Sequence, residues 1–205
     1  MSVAQAISHR IKRMKKGKPF VRTVFAELGS RAAVDKALSR LVQAGRLERV
    51  ARGVYMRPKL STYVGWVRPS PITIMNILAK ANGETIQIHG AEAVRRLGLS
   101  TQMQVVPVYY TSGRTREIKA GNAVVRLNHV SSDRLQHAGN KVGLALTALY
   151  YLGKDGACPH ALYKIADTLS PDELATLLAC RMPKWMRAAL APFAEEVSLA
   201  VSSGR

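Results

Sequence analysis

Acidic residues are scarce in this chain of 205 residues. Thirteen Asp and Glu stand against 31 Lys and Arg, for a net charge of +18 with the five histidines neutral. A field of that sign repels further copies and attracts polyanions, so a monomer in solution with an anionic partner is expected. Cysteine is almost absent. Cys158 and Cys180 alone are too few and too far apart for a disulfide framework or a thiolate metal site, and both are expected to be reduced thiols of a cytoplasmic chain. No apolar run reaches the roughly 18 residues of a membrane span. The opening Met1–Arg10 lacks the charged head and apolar run of a secretory signal. No helix pairs a large apolar face with a basic one as membrane-surface binding requires, which leaves nucleic acid as the leading partner. What is plentiful is ordinary core material: 47% of residues are apolar and 21% charged, a globular composition.

The positive charge is concentrated. Residues 1–60 hold fifteen basic residues and three acids (Glu27, Asp35, Glu48), so two-thirds of the net charge lies in under a third of the chain. From Arg57 to Pro71 come three prolines and a glycine without periodicity, the mark of a connector. Three segments follow: a basic module at 1–60, a connector at 61–70, and a larger domain at 71–205. Tyr63 and Trp66 suggest that the connector packs on something.

Within the module, Val3, Ile7, Ile11 and Met14 predict a helix over about 2–14. Residues 20–28 predict a second short helix, with Gly29 as a left-handed C-cap. Ser30 offers an N-cap to a third, whose stripe is Ala33 or Val34, then Ala37, Leu38, Leu41 and Val42. Its other face carries Arg31, Asp35, Lys36, Ser39, Arg40 and Gln43. Residues 47–50 and 54–57 then predict a hairpin around Ala51-Arg52-Gly53, although Leu47 and Val50 break the strand alternation. Two helices joined by a tight turn and followed by a basic hairpin form the pattern of a winged helix-turn-helix.

Each residue type suits duplex DNA. In the major groove Arg bridges guanine acceptors while Ser or Asp meets other base edges, which makes Ser30, Arg31, Asp35, Lys36, Ser39 and Arg40 the candidate reading face. Arg49 and Arg52 lie on the hairpin, where a wing tip meets the minor groove or the backbone. Lys15, Lys16, Lys18 and Arg22 are candidate phosphate clamps. Phe20 and Tyr55 belong to the core, so the module has no exposed aromatic platform, and this favours duplex DNA over RNA.

From Lys18 to Arg57 the chain, including its Arg-Gly-Val-Tyr run at Arg52 to Tyr55, resembles the N-terminal winged helix of the AbiEi-type antitoxin family. His89-Gly-Ala-Glu-Ala93, Leu97 to Gln102 and Tyr110 to Arg114 are similar to that family's second domain, so the resemblance spans about residues 15–195. It implies a transcriptional autorepressor and antitoxin of a type IV toxin–antitoxin system, acting against a nucleotidyltransferase-like toxin without stable contact, in phage resistance.

Beyond the connector, helices are expected at 71–81 and 91–97, and strands at 85–89, 105–111, 115–120 and 123–128. Helices follow from Ser131 onward, with a capping box at Ser170-Pro-Asp-Glu173 and an apolar 141–152 at the centre. The whole is α+β: an N-terminal winged helix-turn-helix, then a small antiparallel sheet packed by helices. Arg114, Arg116, Lys119 and Arg126 form a possible second basic surface, with Arg114 and Arg116 on one strand face.

Catalytic signatures are missing. No nucleophile elbow, phosphate-binding loop or His-Glu-Xaa-Xaa-His pair occurs, so neither enzyme activity nor a cofactor is expected. His129, Asp133 and His137 recur at a spacing of four but need not share a face, and no metal is expected. His89 before Gly90 is expected to be a satisfied turn residue, and Glu195-Glu196 a solvated face. The main reading is a sequence-specific DNA-binding repressor on an operator with inverted repeats, with one chain per half-site. The alternative is an interaction protein or RNA-associated module whose winged helix docks a partner.

Overall fold

The computed structural model describes residues 2–63 and 65–203, the side chains of 195–203 excepted, so the Glu195-Glu196 face lies outside the described residues. Contacts divide the chain into two compact units. One takes in residues 1–84 and 117–125, and so reaches past the 61–70 connector; the other takes in 85–116 and 126–205. The architecture is mixed α+β with small sheets. No helix among the described residues is long and apolar enough to cross a membrane.

The first unit opens with α1 (Val3–Arg13), started by a capping box between Ser2 and Gln5 and burying Ile7 and Ile11. β1 (Pro19–Val21) leads directly into a 3-10 helix, Arg22–Leu28. The expected second helix thus begins later and is wound more tightly. Phe20 is taken by strand pairing, opposite Tyr55, and no side chain caps the 3-10 start. Gly29 is extended (φ 163°), not left-handed. An added Cβ there would lie 2.9 Å from Val3 Cγ2, so a larger residue would push against the α1 side chain.

α2 (Arg31–Gln43) follows, with the Ser30 hydroxyl accepting from the Ala33 N–H. It buries Val34, Ala37, Leu38 and Leu41 against α1 and the 3-10 helix. β2 (Glu48–Ala51) and β3 (Val54–Met56) form a hairpin, and β1 adds to the far side of β3, giving the order β1-β3-β2. A bulge between Arg49 and Ala51 resets the pleat. That extra residue accounts for the broken alternation of Leu47 and Val50. Phe20 closes the core edge-on to Phe25 and stacked on Tyr55, at ring distances of 5.7 and 6.3 Å.

The connector holds a minimal strand pair, β4 (Leu60–Ser61) and β5 (Gly65–Trp66). Tyr63 and Trp66 do not pack as expected; both are exposed. α3 (Pro71–Asn82) completes this unit, packing against β1.

A four-stranded sheet of order β6-β7-β9-β8 is built from β6 (Ile86–Ile88), β7 (Val108–Thr111), β8 (Arg116–Ala120) and β9 (Ala123–His129). Its hairpin tip, 117–125, groups with the first unit. The sheet is mixed, not antiparallel: β6 opposes β7, but β7 runs parallel to β9 from Val108↔Arg126 to Thr111↔His129. The chain leaving β7 passes to the outer position and returns between, and the loop it makes is latched to the end of β9. The His129 N–H donates to Thr115 Oγ1 at 2.9 Å, and its ring Nδ1 lies 2.8 Å from the Gly113 carbonyl. Arg114 therefore sits in that loop, not on a strand face with Arg116.

Helices make the core: α4 (Gly90–Arg96), α5 (Lys141–Gly156), α6 (Pro159–Ala166), α7 (Pro171–Ala179) and α8 (Lys184–Ser203). Val142 through Leu149 on α5 are buried almost without a break, as the apolar run predicts. α5 is kinked at Gly153, while α8 continues through Pro192. The capping box of Ser170 and Glu173 is formed.

Candidate nucleic-acid interface

Amphipathic α2 turns one face to its core and leaves the other bare. Arg31, Lys36, Ser39, Arg40 and Gln43 are all exposed on it. Lys36 and Arg40 have no carboxylate partner among the described residues, so their charge is available to an external anion. Ser30 stands at the N-terminus of the same helix, its oxygen already accepting from Ala33.

Asp35 differs from its neighbours. It is half-buried, with its carboxylate 3.1 Å from Arg22 Nη1 and 3.8 Å from Arg31 Nε. Arg22 in turn donates its backbone N–H to the Gly53 carbonyl at 3.2 Å. One arginine thus ties the tip of the β2–β3 hairpin to α2. Its guanidinium positions the two elements and has little left for a phosphate.

At the tip, Gly53 takes φ +78°, which a side chain resists, and this lets the two-strand turn close in so few residues. Arg52 beside it and Arg49 opposite Tyr55 are exposed and unpaired among the described residues. Between α1 and α2 runs an open groove of about 420 Å³ lined by Ser8, His9, Lys12, Arg40 and Arg46. Arg46 is held there by a 3.0 Å bond to Ser8 Oγ.

Lys15, Lys16 and Lys18 occupy the turn after α1 and are exposed. Sequence reasoning missed what fixes that turn. Arg57 donates to the carbonyls of Lys12 and Met14 at 2.7 and 2.6 Å, closing the C-terminal end of α1, and its own carbonyl accepts from the Gly17 N–H. Lys59 lies alongside: an added Cβ on Gly17 would fall 2.9 Å from Lys59 Cδ. Nothing local marks Lys59 out, because its proline-rich setting has the pattern of a connector.

The candidate second basic set has members in both units. Lys119 belongs to the first unit and lies 3.7 Å from Glu117, while Arg114, Arg116 and Arg126 belong to the second. Arg116 donates to the Arg114 carbonyl.

The second unit has its own polar cluster. His89 caps α4, its Nδ1 accepting from the Ala91 N–H at 3.2 Å, with Gln104 Nε2 at 2.9 Å. Nδ1 is thus an acceptor and the ring proton sits on Nε2. Burial, and secondly the Arg134 charge, hold the His89 pKa below its ordinary value, so the ring is a neutral cap. Arg134 lies 5.0 Å from the ring centres of both Tyr110 and Tyr150. Glu92 is held down to about 2, first by its hydrogen bonds to Arg95. Among the described residues no three His, Cys, Asp or Glu side chains gather as metal ligands would. Asp133 instead pairs with Arg181 at 3.4 Å.

Residues 6–177 match the model of a family described as a family of unknown function, DUF6088. No curated protein and no solved structure matches the chain.

Proposed function

The chain belongs to that family of unknown function, and we propose that it is a sequence-specific duplex DNA-binding repressor whose first unit is a winged helix-turn-helix. The exposed face of α2 carries the reading: Arg31, Lys36, Ser39 and Arg40 project from a helix that is buried only on its other side. A helix so presented fits the major groove, and arginine there takes guanine O6 and N7. The bulged β2–β3 hairpin, with Arg49 and Arg52 free of carboxylates, is the wing. Lys15, Lys16 and Lys18 contact phosphate. The 3-10 helix stands in the position of the first helix of the pair, and Asp35 and Arg22 hold helix and wing in register.

The sequence resemblance to AbiEi-type antitoxins supports a further part of the reading, autorepression beside a nucleotidyltransferase-like toxin. The second unit supplies the antitoxin surface.

Selection of bound duplexes from a random pool tests the DNA reading. An enriched motif, lost when Arg31→Ala and Arg40→Ala are combined, is the expected result. At about 1–3 kcal/mol per bidentate base contact, each replacement lowers specific affinity roughly 5- to 150-fold. A pool that returns unenriched, or a motif indifferent to both replacements, overturns it.

A further inference from the structure

The β4–β5 hairpin is the most conspicuous feature that the duplex reading leaves unused. Tyr63 is 94% exposed, Trp66 64% and Leu60 67%, in a chain where aromatics are few. Leu60 and Trp66 are direct cross-strand partners, so their side chains share one face of the pair. An isolated two-stranded pair gains no stability from displaying them to water.

Its surroundings are cationic. Lys59 immediately precedes β4 and its carbonyl accepts from the Val67 N–H, closing the base of the hairpin at 2.9 Å. The Lys59 side chain rests on Gly17, the centre of the Lys15-Lys16-Gly17-Lys18 turn. Those four lysines have no carboxylate partner among the described residues. The three acids of the first sixty residues are paired with arginines: Glu48 with Arg68 at 3.1 Å, Asp35 with Arg22 at 3.1 Å, and Glu27 with Arg10. Exposed rings beside an unneutralised lysine cluster match the two components of single-strand recognition, π-faces for bases and cations for phosphates.

We propose that the β4–β5 hairpin of this protein binds single-stranded DNA, stacking unpaired bases on Tyr63 and Trp66 while Lys15, Lys16, Lys18 and Lys59 hold the backbone. DNA is the occupant because the same compact unit presents the α2 face. That choice rests on the duplex reading, but the stacking itself does not. Within residues 1–60 Phe20 and Tyr55 are buried, as the sequence predicts; the exposed rings lie just beyond, in the connector. The site extends the protein's reach to strands that have come apart.

The test uses the full chain carrying Trp185→Phe, which leaves Trp66 as the sole indole. Titration with a twelve-residue oligo(dT) should quench its emission saturably. Stacking is worth about 1–3 kcal/mol per base. Tyr63→Ala with Trp66→Ala should therefore weaken oligo(dT) binding, followed by anisotropy of a labelled strand, at least tenfold. Both side chains are exposed, so the thermal melt should not move. Replacing the four lysines with Ala should reduce the log–log salt slope by about 0.7 for each phosphate no longer neutralised. Retention of a duplex motif by the Tyr63/Trp66 variant would separate this site from α2. No quenching, quenching by oligo(U) at lower concentration than by oligo(dT), or a response to anionic lipid vesicles without one to oligo(dT), would each overturn the proposal. Loss of the duplex motif on replacing Arg31 and Arg40, with oligo(dT) binding intact, would leave it standing.

Discussion

Arg22 and Asp35 show how one pair of side chains can serve placement while looking like contact residues. In sequence Asp35 belongs to the groove-facing set and Arg22 to the phosphate clamps; in the structure the Asp35 carboxylate lies between Arg22 and Arg31. Asp35→Ala should release two guanidinium groups and remove one negative charge from the α2 face. Affinity for random duplex, read by fluorescence anisotropy, should rise several-fold while discrimination between sequences falls. The cost to stability should stay near the ~1 kcal/mol of a partly exposed pair. His89 carries a different kind of consequence. Its pKa is lowered on folding from 6.5, so the unfolded chain binds the proton more readily. Stability should be fully present above about pH 6.5 and decline as pH falls through the window below it. His89→Asn, which retains an N-cap acceptor, should flatten that decline in urea melts. Glu92, held at about 2 against 4.5, contributes fully above pH 4.5 and loses its contribution progressively as pH falls from there to about 2, below the window in which His89 begins to act.

Elements were legible where one periodicity dominated. The stripes of α1 and α2, the capping box at Ser170 and the buried run of α5 follow directly from residue spacing and caps. Less legible were features decided by partners distant in sequence. Phe20 joins a strand because Tyr55 lies opposite, and Gly29 is favoured by the nearness of Val3 rather than by its own φ. β7 runs parallel to β9 because the chain places β8 outside, a choice that no local pattern records. Two glycines separate the causes. Gly53→Ala meets nothing within 4 Å, so it should cost only the left-handed penalty of about 1–2 kcal/mol and should loosen the β2–β3 hairpin. Gly90→Ala would place a Cβ 2.2 Å from Tyr151 Cβ, where α4 starts against α5. It should cost more, about 3 kcal/mol or beyond, because one backbone must move away from the other. Thermal melts of both variants check the order.

At the scale of the whole molecule, the net charge of +18 sets the affinity for any polyanion, and the pairing of individual charges decides where it is felt. The concentration of cations in the first sixty residues was plain from composition, and so was the basic face of α2. The aromatic hairpin was not, because exposure of Tyr63 and Trp66 depends on what fails to cover them. Lys119 is paired with Glu117 and Arg116 is bonded to the Arg114 carbonyl, so neutralising Arg114, Arg116, Lys119 and Arg126 together should leave the salt slope of duplex binding unchanged. A flatter slope would make them a true second DNA surface. Footprinting on the DNA upstream of the protein's own reading frame is the most direct measurement. Protection of an inverted repeat, abolished by Arg31→Ala with Arg40→Ala while the melt is unchanged, is the predicted result. Protection no different from that of a scrambled duplex, or protection that survives both replacements, would contradict the assignment of α2 as the reading helix.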